Sequence, residues 1–222
     1  MHKSLENLNL IKNKINQVIN EKQLKTDPKI VVISKTFSIN KIAPLFENGH
    51  IHFGENKIRE AENKWREVKN NNKNLQLHMV GKLQTNKVKK AIKLFDYIHS
   101  LDNQNLALKI QQCENELKKK TKLFIQVNVA DEPQKSGIQL KNLQNFYNYC
   151  TKQLTLNIIG LMCLPPINNS SIKYFKILKK SADEIHLKDL SMGMSSDFHE
   201  ALVNGSTYLR LGTAILGKRN SN

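Results

Sequence analysis

The sequence predicts a single (β/α)8 barrel, and three observations carry that expectation. From residue 29 onward, eight short apolar runs alternate with amphipathic stretches. No Gly/Ser/Pro-rich linker is long enough to split the chain. The rival architecture, an open doubly wound sheet, would suit fewer strands and a glycine-rich first turn that is missing here. At 222 residues the chain is long enough for a sizeable core, and 39% apolar residues are enough to fold it. Residues 1–222 are therefore expected to form one domain, with 1–25 an N-terminal helix packed on the barrel.

Leu5, Leu8, Ile11, Ile15, Val18 and Ile19 recur at spacings of three and four, lining one face of a helix that ends before Thr26-Asp27-Pro28. Residues 29–34 (KIVVIS) place four apolar, mostly β-branched residues together, which reads as a buried strand. Residues 42–47 read as a short helix closed by Asn48-Gly49, where glycine accepts the left-handed cap conformation. A second strand follows at 51–54. The same alternation continues with strands at 76–80, 97–101, 123–129, 156–164, 189–192 and 208–211. Helices are expected at 56–69, 86–94, 103–119, 140–152, 171–186 and 197–203. The run 70–74 (NNNKN) reads as an exposed loop.

The formal charge of +16 and pI near 9.7 raise nucleic acid or an acidic membrane as a partner. Lysine outnumbers arginine 31 to 4, however, and asparagine reaches 27, so the excess reads as global drift in composition. Phosphate-reading faces lean on clustered arginine with interleaved aromatics, so specific nucleic-acid binding is not expected. Cys113, Cys150 and Cys163 are an odd number without metal-ligand spacing, which points to a reducing compartment. No stretch approaches 18 consecutive apolar residues, and the N-terminus lacks the apolar core of a signal peptide. A cytoplasmic protein without membrane attachment is expected.

In a barrel the functional face lies at the C-terminal ends of the strands. The residues there include Lys35-Thr36, Glu55-Asn56, Gly81, Ser100, Asn128, Met162, Ser191 through Ser196, and Arg210 with Gly212-Thr213. One lysine, one arginine and several small polar residues suit a phosphorylated, electron-poor ligand held by donors. A metal site is not indicated, because carboxylates and histidines show no ligand spacing. Lys35 closes an apolar strand, where poor hydration favours the neutral amine needed to attack an aldehyde. Most of the other lysines must be solvated surface. LSMGMSSDF, at 190–198, passes from strand through glycine and serine into helix, where backbone N–H groups can bind an anion. Leu211-Gly212-Thr213 offers the same one strand later, and two such turns on the last two strands match the usual phosphate site of a barrel.

The blocks IVVISKT, HFGENKIREAENKW, HMVGKLQTNK, IHSLD, FIQVNVADEPQKSGI, GLMCLPP and LSMGMSSDFHEALVNGSTYLRLGTAILGKR resemble, in order, the signature blocks of the pyridoxal phosphate homeostasis protein family. The likeness runs from about residue 30 to 219. These are cytosolic single-barrel proteins similar to the N-terminal domain of alanine racemase. The resemblance implies that Lys35 carries pyridoxal 5′-phosphate as an internal aldimine, and that Ser195, Gly212 and Thr213 help to hold the phosphate. It also implies that Arg210 faces the pyridine nitrogen and that Asn56 lies near the ring. The implied partners are the cofactor and vitamin-B6-dependent apoenzymes, and the expected state is a monomer. Lys57, Ile58 and Arg59 stand where the family commonly has tyrosine, valine and glutamine. Leu77 and Met79 stand where it commonly has tryptophan and phenylalanine.

Pyridoxal phosphate catalyses by drawing electrons into a protonated pyridinium, which an acidic partner strengthens. Arg210 can only donate, so it would leave the ring nitrogen unprotonated. A racemase also needs a second acid/base on the opposite face, which the two-domain racemases take from an added domain and a partner subunit. The first reading is therefore a protein that binds, carries or buffers the cofactor without enzymatic turnover. The alternative is a weak pyridoxal phosphate-dependent racemase or decarboxylase with a base such as His78 or His99. A third reading, from a different class, is a lysine-rich RNA-binding protein.

Overall fold

The computed structural model describes residues 2–166 and 170–218. Helix α1 (Lys3–Glu21) leads into β1 (Lys29–Ile33), α2 (Ile39–Glu47), β2 (His52–Glu55), α3 (Ile58–Asn71) and β3 (Gln76–Met79). There follow α4 (Val88–Leu94), β4 (Tyr97–Leu101), α5 (Gln104–Leu117), β5 (Lys122–Asn128), β6 (Ile138–Gln139) and α6 (Leu143–Asn148). The chain continues through β7 (Ile158–Met162), α7 (Ile172–Glu184), β8 (Asp189–Ser191), α8 (Phe198–Val203), β9 (Tyr208–Leu211) and α9 (Thr213–Leu216).

All pairings are parallel. β1 lies between β2 and β9, and β4 pairs with β5, so the ring closes through β1, β2, β3, β4, β5, β7, β8 and β9. This is the predicted eight-stranded barrel. β6, which the sequence reading missed, adds two residues alongside Val127 and Asn128 at the end of β5. Its brevity explains the omission, since two half-buried residues carry no periodicity.

Two layers of apolar side chains follow from the alternation of each strand. One cluster packs the strands against the helices and includes Phe53, Trp65, Ile98, Phe175 and the α1 residues Leu8, Ile11, Ile15 and Val18. Burying each such aliphatic side chain is worth about 1.5–3 kcal/mol, so α1 belongs to the core and is not an appendage. It packs on α2, α8 and α9. A smaller cluster of Val31, Tyr97, Phe124, Met162 and Tyr208 forms the second layer.

Several boundaries differ from expectation for identifiable reasons. The predicted strand 156–164 shortens to β7 because the Leu156 N–H is drawn back to the Cys150 carbonyl, 2.9 Å away, closing the preceding helical turn. The predicted helix 140–152 starts with a 3-10 turn, contains α6, and ends in a π-helical turn over Tyr149–Gln153. The helix predicted from 56 begins at Ile58, since Lys57 keeps an extended backbone. α5 begins after Asn103, whose side chain accepts the Leu106 N–H at 2.9 Å as an N-cap. Asn70 and Asn71 complete α3 before the loop begins, although all of 70–74 is exposed.

Candidate functional site

Lys35 follows β1 by two residues and is half-buried. Its backbone neighbours are clamped from two elements. The Ser34 hydroxyl donates to Glu55 Oε1 at 2.7 Å, and the Ser34 carbonyl accepts from Lys64 Nζ at 2.8 Å. On the other side the Thr36 N–H donates to Glu60 Oε1 at 2.5 Å. Thr36 sits at φ 69°, a left-handed conformation that is costly for a β-branched residue and persists only where its surroundings hold it.

Glu55 is the centre of this clamp. It is fully buried, and its Oε1 also accepts from Trp65 Nε1 and Lys64 Nζ, both at 2.9 Å. Its Oε2 is buried without a hydrogen-bond partner. Lys64 in turn reaches Glu60, 3.1 Å away and one helical turn back. Burial tends to raise the Glu60 pKa, but the Thr36 N–H and Lys64 outweigh it and hold the carboxyl below its ordinary value. Sequence reading missed Glu60 and Lys64. Their i,i+4 spacing just after Glu55-Asn56 was the available signal.

The two late turns meet through Ser195. Its hydroxyl oxygen accepts the Gly212 N–H at 3.3 Å and the Ala214 N–H at 3.2 Å, so the turn after β8 is tied to the turn after β9. A Cβ added at Gly212 would lie 3.5 Å from the Ile33 Cβ, in ordinary contact. The protein's own packing thus tolerates a side-chain atom here and does not by itself demand glycine. Gly212 stands beside the end of β1, the strand that leads into Lys35, because Val32 is in register with Leu211. Thr213 opens α9.

Arg210 points into the barrel and is 5% exposed. One guanidinium nitrogen donates to Ser191 Oγ at 2.7 Å and the other to the Cys163 carbonyl at 2.8 Å. Burial lowers its pKa, with Cys163 and Asp197 opposing the shift, and a guanidinium still remains a donor only. Asn56 lines a cleft of about 540 Å³ at the strand ends, together with Gly81, Asn128, Leu164 and Met194. A Cβ at Gly81 would come within 2.3 Å of the Asn56 carbonyl oxygen, so glycine is required for the two loops to approach.

His78 and His99 are enclosed in the barrel interior. Both ring nitrogens of each are engaged, His78 with His52 and His99, and His99 with His78 and Ser191. As bases for the alternative reading they therefore lack a ring nitrogen to offer a substrate. Lys57 and Arg59 are exposed and line a groove beside α3, whereas Leu77 and Met79 lie in the core. The departures at 77 and 79 thus repack the interior. Burial pushes the Cys150 and Cys163 thiols up to about 12, and no group of three or more potential metal ligands occurs among the described residues.

The sequence pattern of the alanine racemase N-terminal domain matches residues 7–220. The pyridoxal phosphate homeostasis protein of Haemophilus influenzae is 32% identical over 96% of this chain and 95% of its own length. The protein of the same name from Aquifex aeolicus is 35% identical over 86% of this chain and 87% of its own. Among solved structures, PipY of Synechococcus elongatus, with pyridoxal phosphate bound, is 31% identical and superposes with a TM-score of 0.80, covering 91% of this chain and all of PipY. An alanine racemase from Clostridium difficile, at 16% identity and a TM-score of 0.73, shares the fold over 98% of this chain and 58% of its own. With that barrel, that rim and relatives this similar over nearly their whole length, the chain belongs to the pyridoxal phosphate homeostasis protein family.

Proposed function

We propose that the chain binds pyridoxal 5′-phosphate at the C-terminal rim and serves its homeostasis in the cytoplasm, holding and releasing the cofactor without turning over amino acids. Lys35 would supply the amine that bonds the aldehyde. Ser195, Gly212 and Thr213 would hold the phosphate, Arg210 would face the ring nitrogen, and Asn56 would border the ring. The residues fit such a group: Ser195 gathers the two late turns through the Gly212 and Ala214 N–H groups, and Arg210, two residues before Gly212, is a buried cation. The family's name and the ligand of PipY support the same ligand class.

The observation that carries the non-catalytic half of this reading is the state of Arg210. Bound pyridoxal phosphate supplies an electron sink whose strength depends on a protonated ring nitrogen. Arg210, anchored by Ser191 and the Cys163 carbonyl, can only donate there. The interior histidines have no nitrogen free to act as the opposing acid/base. The same reading has the chain work as a monomer that passes cofactor to vitamin-B6-dependent apoenzymes. Among the described residues, no helix is long and apolar enough to cross a membrane.

The test is the visible spectrum of the purified protein after adding pyridoxal phosphate, followed by borohydride reduction and peptide mass mapping. A reduced adduct on Lys35 supports the reading. An adduct confined to other lysines would overturn it.

A further inference from the structure

An unbroken line of hydrogen bonds crosses the barrel from its lower rim to Arg210. His52 opens β2, near Lys29 and Lys122, which open β1 and β5. His52 Nδ1 is 3.0 Å from His78 Nε2, and His78 Nδ1 is 2.9 Å from His99 Nε2. His99 Nδ1 is 2.7 Å from Ser191 Oγ, which is 2.7 Å from the Arg210 guanidinium.

The direction of every proton in this line follows from its upper end. Arginine only donates, so Ser191 Oγ accepts from Arg210 and its own hydrogen must go to its other neighbour, His99 Nδ1. His99 then accepts at Nδ1 and carries its proton on Nε2, which donates to His78 Nδ1. His78 repeats the pattern and donates from Nε2 to His52 Nδ1. Reversing the line would leave the Ser191 hydrogen buried without an acceptor. We propose that Arg210, acting through Ser191, locks His99, His78 and His52 in one proton order, all neutral with the proton on Nε2, and that Ser191 and His99 are positioning residues which hold the Arg210 fork toward a ligand. Burial, which keeps His78 and His99 well below their ordinary pKa and His52 at about 4, agrees with three neutral rings. The ring contacts agree as well, since His78 stacks on Tyr97 and His99 on Phe124, fixing both planes.

The positioning half of this inference rests on the assignment of Arg210 to the ring nitrogen, but the proton order does not. Two-bond 1H–15N correlation spectra of the cofactor-free protein at pH 7 read each tautomer directly, with signals assigned from His52→Gln, His78→Gln and His99→Gln. The expected result is the Nε2–H form for all three rings, with a preference of at least about tenfold at His99, from the cost of an unpaired buried hydroxyl. A charged ring, or an Nδ1–H form at any of the three, would overturn the proposal without any variant. In Ser191→Ala the lock is gone, and His99 should become a mixture of tautomers. An unchanged His99 signal there would mean that the lower rim sets the order. Titrating pyridoxal phosphate into both proteins completes the test. A shifted visible band in Ser191→Ala supports the positioning role, and an identical band removes it. Wild-type protein with the proton order intact that binds no pyridoxal phosphate would sink the cofactor reading and leave the line standing.

Discussion

Lowering the pH from 7 to 5 should cost this barrel much of its stability through buried histidines rather than carboxylates. His78 and His99 are fully enclosed, and His50, 9% exposed, donates from Nε2 to the His52 carbonyl at 2.9 Å. Burial is the leading cause in each case, holding His50 at about 4 and the other two well below their ordinary value. The unfolded chain binds protons at these sites near pH 6.5, so it holds more protons than the fold throughout the window below that value. Stability is therefore fully present above pH 6.5 and falls as the pH drops toward the folded-state values. At pH 5, 1.5 units below the unfolded pKa, His50 alone costs about 2 kcal/mol, and His78 and His99 add to the loss in the same direction. Such a loss is a large fraction of the stability of an ordinary domain, about 5–15 kcal/mol. His52, half-buried and also near 4, adds less because solvent screens it. Urea unfolding followed by the single buried Trp65 at pH 7, 6 and 5 measures the loss. Carboxylates such as Glu60, with a folded-state pKa below 4.5, begin to contribute only at lower pH, so the windows separate. A loss smaller than about 2 kcal/mol, one group's worth, would show that the interior histidines titrate normally and refute the reasoning.

Lys35→Ala should abolish the borohydride-trapped adduct without unfolding the barrel, because the side chain is only half-buried; a circular dichroism melt alongside mass mapping checks both halves. Gly212→Val should weaken pyridoxal phosphate binding by at least about tenfold while moving the urea midpoint little, since the added Cβ meets only Ile33 at ordinary distance. Equal affinity of the normal protein for pyridoxal and its phosphate ester, by absorbance titration, would contradict the phosphate assignment. Glu55→Ala should cost about 2 kcal/mol or more, because it takes one shared acceptor from the buried Ser34 hydroxyl and Trp65 N–H and one of two carboxylates from Lys64. A melting temperature within a degree of the normal one would count against the clamp. In deuterium oxide, stoichiometric protein should show no multiple-turnover α-hydrogen exchange with a panel of L- and D-amino acids, and turnover abolished by Lys35→Ala would favour the enzyme alternative.

The barrel was legible because its strands are continuous apolar runs. Residues 97–101 and 208–211 were placed to the residue, and the rest shifted by one or two positions. Errors gathered where local hydrogen bonds override pattern, as where Leu156 is drawn back to Cys150. The last helix, α9, is four residues long, too short to show a helical period. At the site, the rule that function lies at strand ends makes Lys35, Arg210 and the two late glycine-containing turns the candidates. The supports of those residues were not legible, because they join distant parts of the chain. Ser191 and His99 are separated by 92 positions, and Arg210 reaches a backbone carbonyl 47 positions away. A weak signal did exist, a histidine within each of the consecutive strands β2, β3 and β4. Only the register turns those three into a line.

The two groups assigned to opposite ends of the ligand share one design. Lys35 is flanked by residues pinned to Glu55, Glu60 and Lys64, and Arg210 is pinned to Ser191 and Cys163. Neither depends on a long loop closing over it, since Lys35 follows β1 directly and Arg210 lies within β9. Binding to such a site orders few side chains, and the affinity lost to immobilisation is small. Turnover makes a different demand, namely groups that change protonation state as the reaction proceeds. The interior groups nearest Arg210 are arranged against that: a permanent donor, a hydroxyl with both neighbours fixed, and histidines whose ring nitrogens are all committed up to His52. On the proposed reading, the same hydrogen bonds that would ready the rim for a ligand leave the interior groups beside Arg210 poorly placed to exchange a proton with it. This is the physical reason to expect a cofactor-holding protein on a fold shared with a racemase.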